Sequence, residues 1–212
     1  MPQKFNYIDF SKEIISLPRK SASLSKERYI SEDFMKMEWE GIWTKTWLFA
    51  GIEADIKEIG DFFVYDIGRE SIVITRDESE KISAFYNVCQ HRGNKIVTLE
   101  SGSFNKISCP YHGWSYALDG KLEHVPDREL FEGGVPCDEK SLKSVRVSVW
   151  AGLIFINMNE DSPSLETFLG PIIDQLKPYK FEKMNLVKHQ TVDVLETNWK
   201  TVRDNFLEQY HV

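Results

Sequence analysis

Two short segments constrain this chain more than anything else in it: Cys89-Gln-His91, and, after residues 92–108, Cys109-Pro-Tyr-His112. Each offers one thiol and one imidazole at the end of a segment with strand character. Four such donors on two loop tips can converge on one metal centre. Two chemistries use two Cys and two His. One is a structural zinc, tetrahedral and content with two sulfurs and two nitrogens. The other is a [2Fe–2S] cluster in which both cysteines hold one iron and both histidines the other. Two core cysteines beside two unrelated surface histidines is the reading without chemistry, and the pairing of ligand types in both loops weighs against it.

Spacing separates the two metal readings. Zinc knuckles place two like ligands on each loop, two to four residues apart. Here each loop mixes Cys with His, one residue apart in the first and two in the second. Gly93 and Gly113 follow the histidines and would let backbone amides approach cluster sulfurs without a Cβ in the way. These features favour the two-iron cluster. Cys137 is left over and reads as a structural or exposed thiol.

The rest of the chain is ordinary globular material. It has 212 residues, 42% hydrophobic, 28% charged and 13% aromatic, which argues against disorder. Lys and Arg total 26 against 33 acids, and a net charge of −7 disfavours nucleic acid as a partner. The longest apolar stretch, Val149–Ile156, is far short of the ~20 residues of a membrane helix. The start, Met1 to Tyr7, lacks the apolar core of a secretory signal. Three cysteines make no disulfide framework, and a reducing, cytoplasmic location is expected.

The pattern divides the chain into three. Residues 1–46 read as a polar arm followed by a helix capped by Ser31, with Glu32 and Asp33 in its first turn and Phe34, Met35, Trp39, Ile42, Trp43 and Trp47 at helical spacing. Residues 47–158 read as short antiparallel strands: 62–67, 71–75, 82–88, 114–118, 121–125, 145–150 and 153–157. Asp119-Gly120 signals a two-residue hairpin turn, and 126–137 a long loop. From 159 a second set begins, with helical character over 163–176, strand alternation over 186–195 and a helix from Asn198 to Val212.

Asn87-Val-Cys-Gln-His-Arg-Gly93 and Ser108-Cys-Pro-Tyr-His-Gly-Trp-Ser-Tyr116 resemble the cluster loops of Rieske non-haem iron oxygenases, the ring-hydroxylating alpha-subunit family. The resemblance implies an α+β architecture: a mostly antiparallel β Rieske domain preceded by a helix and followed by the beginning of an α+β, helix-grip-type catalytic domain. It also implies Cys89, His91, Cys109 and His112 as cluster ligands. Rieske proteins of respiratory complexes carry an additional Cys in each loop; Asn94 and Tyr111 stand there in this chain, which points to the oxygenase or ferredoxin branch.

The C-terminal stretch from Asn198-Trp-Lys200 to Asp204-Asn-Phe-Leu-Glu-Gln-Tyr-His211 is similar to the opening of the oxygenase catalytic domain. On a helix Glu208 and His211 share a face. Taken alone, Glu-x-x-His is usually a solvated surface pair. The resemblance makes His211 one ligand of a mononuclear Fe(II) and Glu208 a carboxylate bridging it to the His112 of a neighbouring subunit. It therefore implies a homotrimer, a flavin or ferredoxin reductase as electron donor, and hydroxylation of an aromatic ring or a quaternary amine with O2. Glu at the bridge, where ring-dihydroxylating members usually carry Asp, tilts the substrate toward quaternary amines. The second His and the carboxylate ligand are not in the sequence, so the 212 residues alone are expected to bind the cluster but not catalytic iron. His124 and His189 read as ordinary histidines. The rival is a Rieske ferredoxin-like electron carrier without oxygenase activity, which would need neither the Trp-rich helix nor the residues after Met158.

Overall fold

The computed structural model describes residues 24–135, 139–184 and 196–207. Its helices are α1 (Glu27–Ile30), α2 (Glu32–Glu38), α3 (Leu165–Leu169), α4 (Ile172–Leu176) and α5 (Trp199–Leu207). Its strands are β1 (Leu48–Ile52), β2 (Asp61–Ile67), β3 (Glu70–Arg76), β4 (Ile82–Tyr86), β5 (Ser101–Ser103), β6 (Ile107–Ser108), β7 (Ser115–Tyr116), β8 (Leu122–His124), β9 (Arg146–Trp150) and β10 (Leu153–Asn157). They form antiparallel sheets in the orders β1-β10-β9, β4-β3-β2-β5 and β6-β7-β8. Among the described residues no helix is long and apolar enough to cross a membrane.

The central strand explains the layering. Ile72, Val73, Ile74 and Thr75 of β3 are all buried, the run expected of a strand covered on both faces rather than on one. Ile72 and Ile74 join Leu48, Ala84, Val145, Ile154 and Ile156 in one core. Val73, pointing the other way, joins Phe62, Phe85, Ile107, Trp114 and Tyr116 in a second. The four-stranded sheet therefore lies between the β1-β10-β9 sheet and the β6-β7-β8 sheet that carries the second cluster loop. Cys89 and Cys109 belong to the second core.

Several expectations are revised. Ser31 caps α2, its Oγ accepting from the Phe34 N–H at 3.2 Å, but the regular helix stops at Glu38 and Trp39–Trp43 winds more loosely as a π-turn. The Trp39 ring sits over Gly68, where a Cβ would come within 2.4 Å of it. β1, β5 and β6 are strands that the sequence pattern does not reveal. β1 follows directly on the aromatic helical stretch and contains Gly51, over which the Phe63 ring packs 2.7 Å from where a Cβ would be. The hairpin at Asp119-Gly120 is present with a different turn. Gly120 N–H reaches Ala117 C=O at 2.9 Å and Ala117 N–H reaches Lys121 C=O at 2.8 Å, giving a three-residue loop with Gly120 at φ +86°. Burial of Leu118 draws that residue out of the strand and into the core. The helix expected over 163–176 is broken at Gly170 into α3 and α4. The strand expected over 186–195 lies outside the described residues.

Residues 24–36 and 196–207 belong to a separate contact unit from the rest. Within it Asn198 caps α5 through Oδ1 and the Lys200 N–H at 3.0 Å, while its Nδ2 donates to the Tyr29 carbonyl at 3.1 Å. Tyr29 Oη donates to the Asp204 carboxylate at 2.7 Å. Lys200, 1% exposed, holds its ammonium 5.2 Å from the Phe34 and Trp199 ring centres and 5.9 Å from that of Tyr29.

Candidate metal centre

The two cluster loops are built on one plan. An antiparallel pair, Val88 with Lys95, closes residues 89–94; a second, Ser108 with Ser115, closes residues 109–114. In each loop the first residue is Cys and the fifth is Gly. The Cys N–H donates to the carbonyl of the sixth residue, Cys89 to Asn94 at 2.9 Å and Cys109 to Trp114 at 2.8 Å. The glycine N–H donates back to the Cys carbonyl, Gly93 to Cys89 at 2.9 Å and Gly113 to Cys109 at 3.1 Å. The glycines adopt φ +74° and +72°, which a side chain would strain. That backbone requirement, rather than access of their amides to sulfur, is why glycine stands there: both N–H groups are spent closing the loops. Within this common frame His is third in one loop and fourth in the other, which accounts for the unequal spacing in the sequence.

Cys89 and Cys109 are both buried, 2% and 3% exposed. His91 and His112 lie above them toward solvent, ring centres 4.8 Å apart at 72°. The Trp114 ring, itself buried, stacks on His91 at 4.8 Å and 8°, and Tyr111 lies 3.8 Å from His112. The imidazoles open onto a groove of about 400 Å³ whose other walls are Trp114, Pro126, Asp127, Leu130 and Phe131.

Electrostatics sharpen the picture. Burial pushes the Cys89 thiol above its ordinary value and the neighbouring Cys109 adds to this, against the lowering effect of bonds from Tyr116 and from the His91 N–H. Burial also holds His91 below the usual imidazole range, with the charges of His112, Arg92 and Lys140 acting the same way. Two neighbouring buried thiols ionise only if a cation compensates them, and a neutral imidazole is the ligating form. Among the described residues no three His, Cys, Asp or Glu side chains crowd around a single point. The four donors instead sort into a sulfur pair inside and an imidazole pair at the rim, which fits two irons better than one tetrahedral ion.

Residues beside these four hold this arrangement. Asn87, 1% exposed, accepts from the Ile96 and Val97 N–H groups at 3.0 and 2.8 Å and donates to Val97 C=O at 2.8 Å and Ser71 Oγ at 3.2 Å, clamping the base of the first loop. Ser115 Oγ bonds Ser108 Oγ at 3.0 Å and Gly113 C=O at 3.1 Å beneath the second. Tyr116 Oη contacts Cys89 Sγ at 3.3 Å and accepts from the Gln90 N–H at 3.1 Å. Sequence reasoning missed these supports; a polar Asn or Tyr beside a ligand loop was the only available signal. His124 lies exposed on β8. Cys137, His189, Glu208 and His211 lie outside the described residues.

This pairing of thiols and imidazoles on matched hairpin loops is that of a Rieske protein, and residues 46–139 match the Rieske [2Fe-2S] domain. The chain is 34% identical over 196 residues to the glycine betaine monooxygenase oxygenase subunit of Pseudomonas aeruginosa, covering 90% of this chain and 44% of that one. It is 32% identical over 198 residues to the biphenyl dioxygenase subunit alpha of Paraburkholderia xenovorans, covering 86% and 42%. The solved structure of the quaternary ammonium Rieske monooxygenase CntA with L-carnitine superposes with a TM-score of 0.82 at 31% identity, over 88% of this chain and 53% of that one. The chain is thus similar to oxygenase subunits well beyond its Rieske match, and it spans about half the length of these relatives.

Proposed function

We propose that Cys89, His91, Cys109 and His112 hold a Rieske [2Fe–2S] cluster serving the oxygenase component of a hydroxylating enzyme. When bound, the cluster supplies a one-electron relay. The residues of this chain do the rest. The cysteines would anchor its buried side, Trp114 stacks on the His91 ring and would hold it in place, and His112 would offer the exposed edge. Glu208 would serve as the bridging carboxylate, and His211 would be one ligand of a mononuclear Fe(II) that supplies O2 chemistry in the whole protein. Electrons come from a flavin or ferredoxin reductase, and the bridge runs between subunits of a homotrimer. The catalytic domain begins near residue 159, after the arm and helix of residues 1–46 and the Rieske domain of residues 47–158.

One observation carries the oxygenase reading over that of an electron carrier: similarity to oxygenase subunits extends over 90% of the chain, well beyond the Rieske domain itself. For substrate we infer a quaternary amine rather than an aromatic ring. Two lines support this: the carboxylate at the bridge is Glu208, and relatives named for glycine betaine and carnitine are among the most similar.

Chemical analysis of anaerobically prepared chain tests the cluster. Two irons and two acid-labile sulfides per chain, with a rhombic paramagnetic signal after dithionite, are expected. A colourless protein holding one zinc overturns the assignment. In the whole oxygenase, Glu208→Gln is expected to slow oxidation of the reduced cluster without bleaching it, and unaltered transfer would remove Glu208 from the route.

A further inference from the structure

Each ligand sulfur has a side-chain donor from the opposite loop. Tyr116, on the strand leaving the second loop, reaches Cys89 of the first. Asn94, the last residue of the first loop, reaches Cys109 of the second, its Nδ2 lying 4.0 Å from Sγ. The orientation of the Asn94 amide is set by its surroundings. Nδ2 is 2.7 Å from the Lys95 carbonyl, where an amide oxygen would face another oxygen, so the NH2 group occupies that side. One N–H goes to Lys95 and the second is free to point at the sulfur. The Asn94 backbone carbonyl meanwhile accepts the Cys89 N–H at 2.9 Å. Asn94 thus touches both cluster loops, through its backbone in one and its side chain in the other.

We propose that Asn94 tunes the cluster by donating an N–H to the Cys109 sulfur, in counterpart to Tyr116 at Cys89, and so raises its reduction potential. This rests on the assignment of Cys89 and Cys109 as cluster ligands. Reduction adds one electron, and the added negative charge is shared with the sulfurs; a donor aimed at sulfur stabilises the reduced form more than the oxidised one. At 4.0 Å the Asn94 contact is at the outer reach of a bond to sulfur, so its effect is smaller than that of Tyr116 at 3.3 Å. Asn94 sits at a half-exposed position, whereas Tyr116 is fully buried, so it can change with little cost to the core.

The test is a redox titration of the cluster-loaded full chain, followed by paramagnetic resonance. Asn94→Leu keeps the side-chain bulk and removes the donor. It is expected to retain two irons and two sulfides and to shift the reduced-to-oxidised ratio about threefold toward oxidised at fixed potential, about 28 mV for a one-electron couple. Tyr116→Phe serves as the reference and moves further in the same direction. A midpoint for Asn94→Leu that coincides with the unaltered chain, while Tyr116→Phe shifts, overturns the proposal. If Asn94→Leu fails to assemble, Asn94→Ala decides by the same reading. Failure of both to assemble also overturns the proposal, because Asn94 would then be a structural clip. Absence of a cluster in the unaltered chain would be a failure of the ligand assignment itself, and iron and sulfide analysis registers it separately.

Discussion

Tyr116 Oη lies 3.3 Å from Cys89 Sγ and is itself held by the Gln90 N–H at 3.1 Å. Burial, reinforced by the bond to Cys89, pushes the Tyr116 phenol well above its ordinary range, so it keeps its proton at every working pH. A Cys89 thiolate holding the proposed cluster would have no hydrogen to give, so Tyr116 would donate to it, with the Gln90 N–H fixing the hydroxyl's direction. Tyr116→Phe is therefore expected to lower the cluster midpoint by roughly 20–60 mV, the one-electron equivalent of a net hydrogen bond of about 0.5–1.5 kcal/mol. The same redox titration measures it. Iron content is expected to stay unchanged, since the ring still fills its place in the core.

Asn87 controls the first loop from below. Its four hydrogen bonds satisfy the Ile96 and Val97 amides in a place water does not reach. Asn87→Leu keeps the volume and leaves those amides without acceptors. We expect a loss of about 2–5 kcal/mol in chemical denaturation and poor cluster retention, although Asn87 is no ligand.

Trp114 couples the second loop to the first by stacking on His91. Trp114→Leu leaves a cavity in the core and frees the imidazole to rotate. A destabilisation of about 3 kcal/mol is expected, with broadened resonance features of the reduced cluster. Trp114→Phe, which keeps an aromatic face under His91, is expected to recover most of the line shape. Equal broadening in both variants would separate the stacking from the filling of space.

The Tyr29–Asp204 bond titrates. The bond to the Asp204 carboxylate, followed by burial and the Asp204 charge, raises the Tyr29 phenol above its ordinary value in the folded state. A raised folded value means the folded chain holds this proton more tightly than the unfolded chain. The contribution is complete below about pH 10, the unfolded value, and is lost as pH rises through the folded one. The stability difference between the unaltered chain and Tyr29→Phe is therefore expected to be constant from pH 7 to 9 and to shrink above pH 10, by denaturation at each pH.

Much of the candidate site is legible from residue types alone. Cys and His in two loops mark the candidate metal site, because their donor types and their order along the chain need no folding to be read. The Ser31 cap, β10 and the span of β2 and β3 follow from local rules that act within a few residues. The short strands β5 and β6 carry too few residues to show a period, and β1 lies beside an aromatic helix whose pattern masks it. The Asp119-Gly120 hairpin marks the middle ground: its location is local, while its three-residue turn is set by the burial of Leu118.

The sequence by itself determined which atoms could bind metal and where along the chain they stand. Only the tertiary structure decided that the thiols face inward and the imidazoles outward, that Trp114 lies against His91, and that Tyr116 and Asn94 reach across to sulfurs of opposite loops. Those relations join residues 15 to 27 positions apart, and no local preference encodes them. They arise because both loops hang from sheets that share one core, whose packing brings the two hairpin ends face to face.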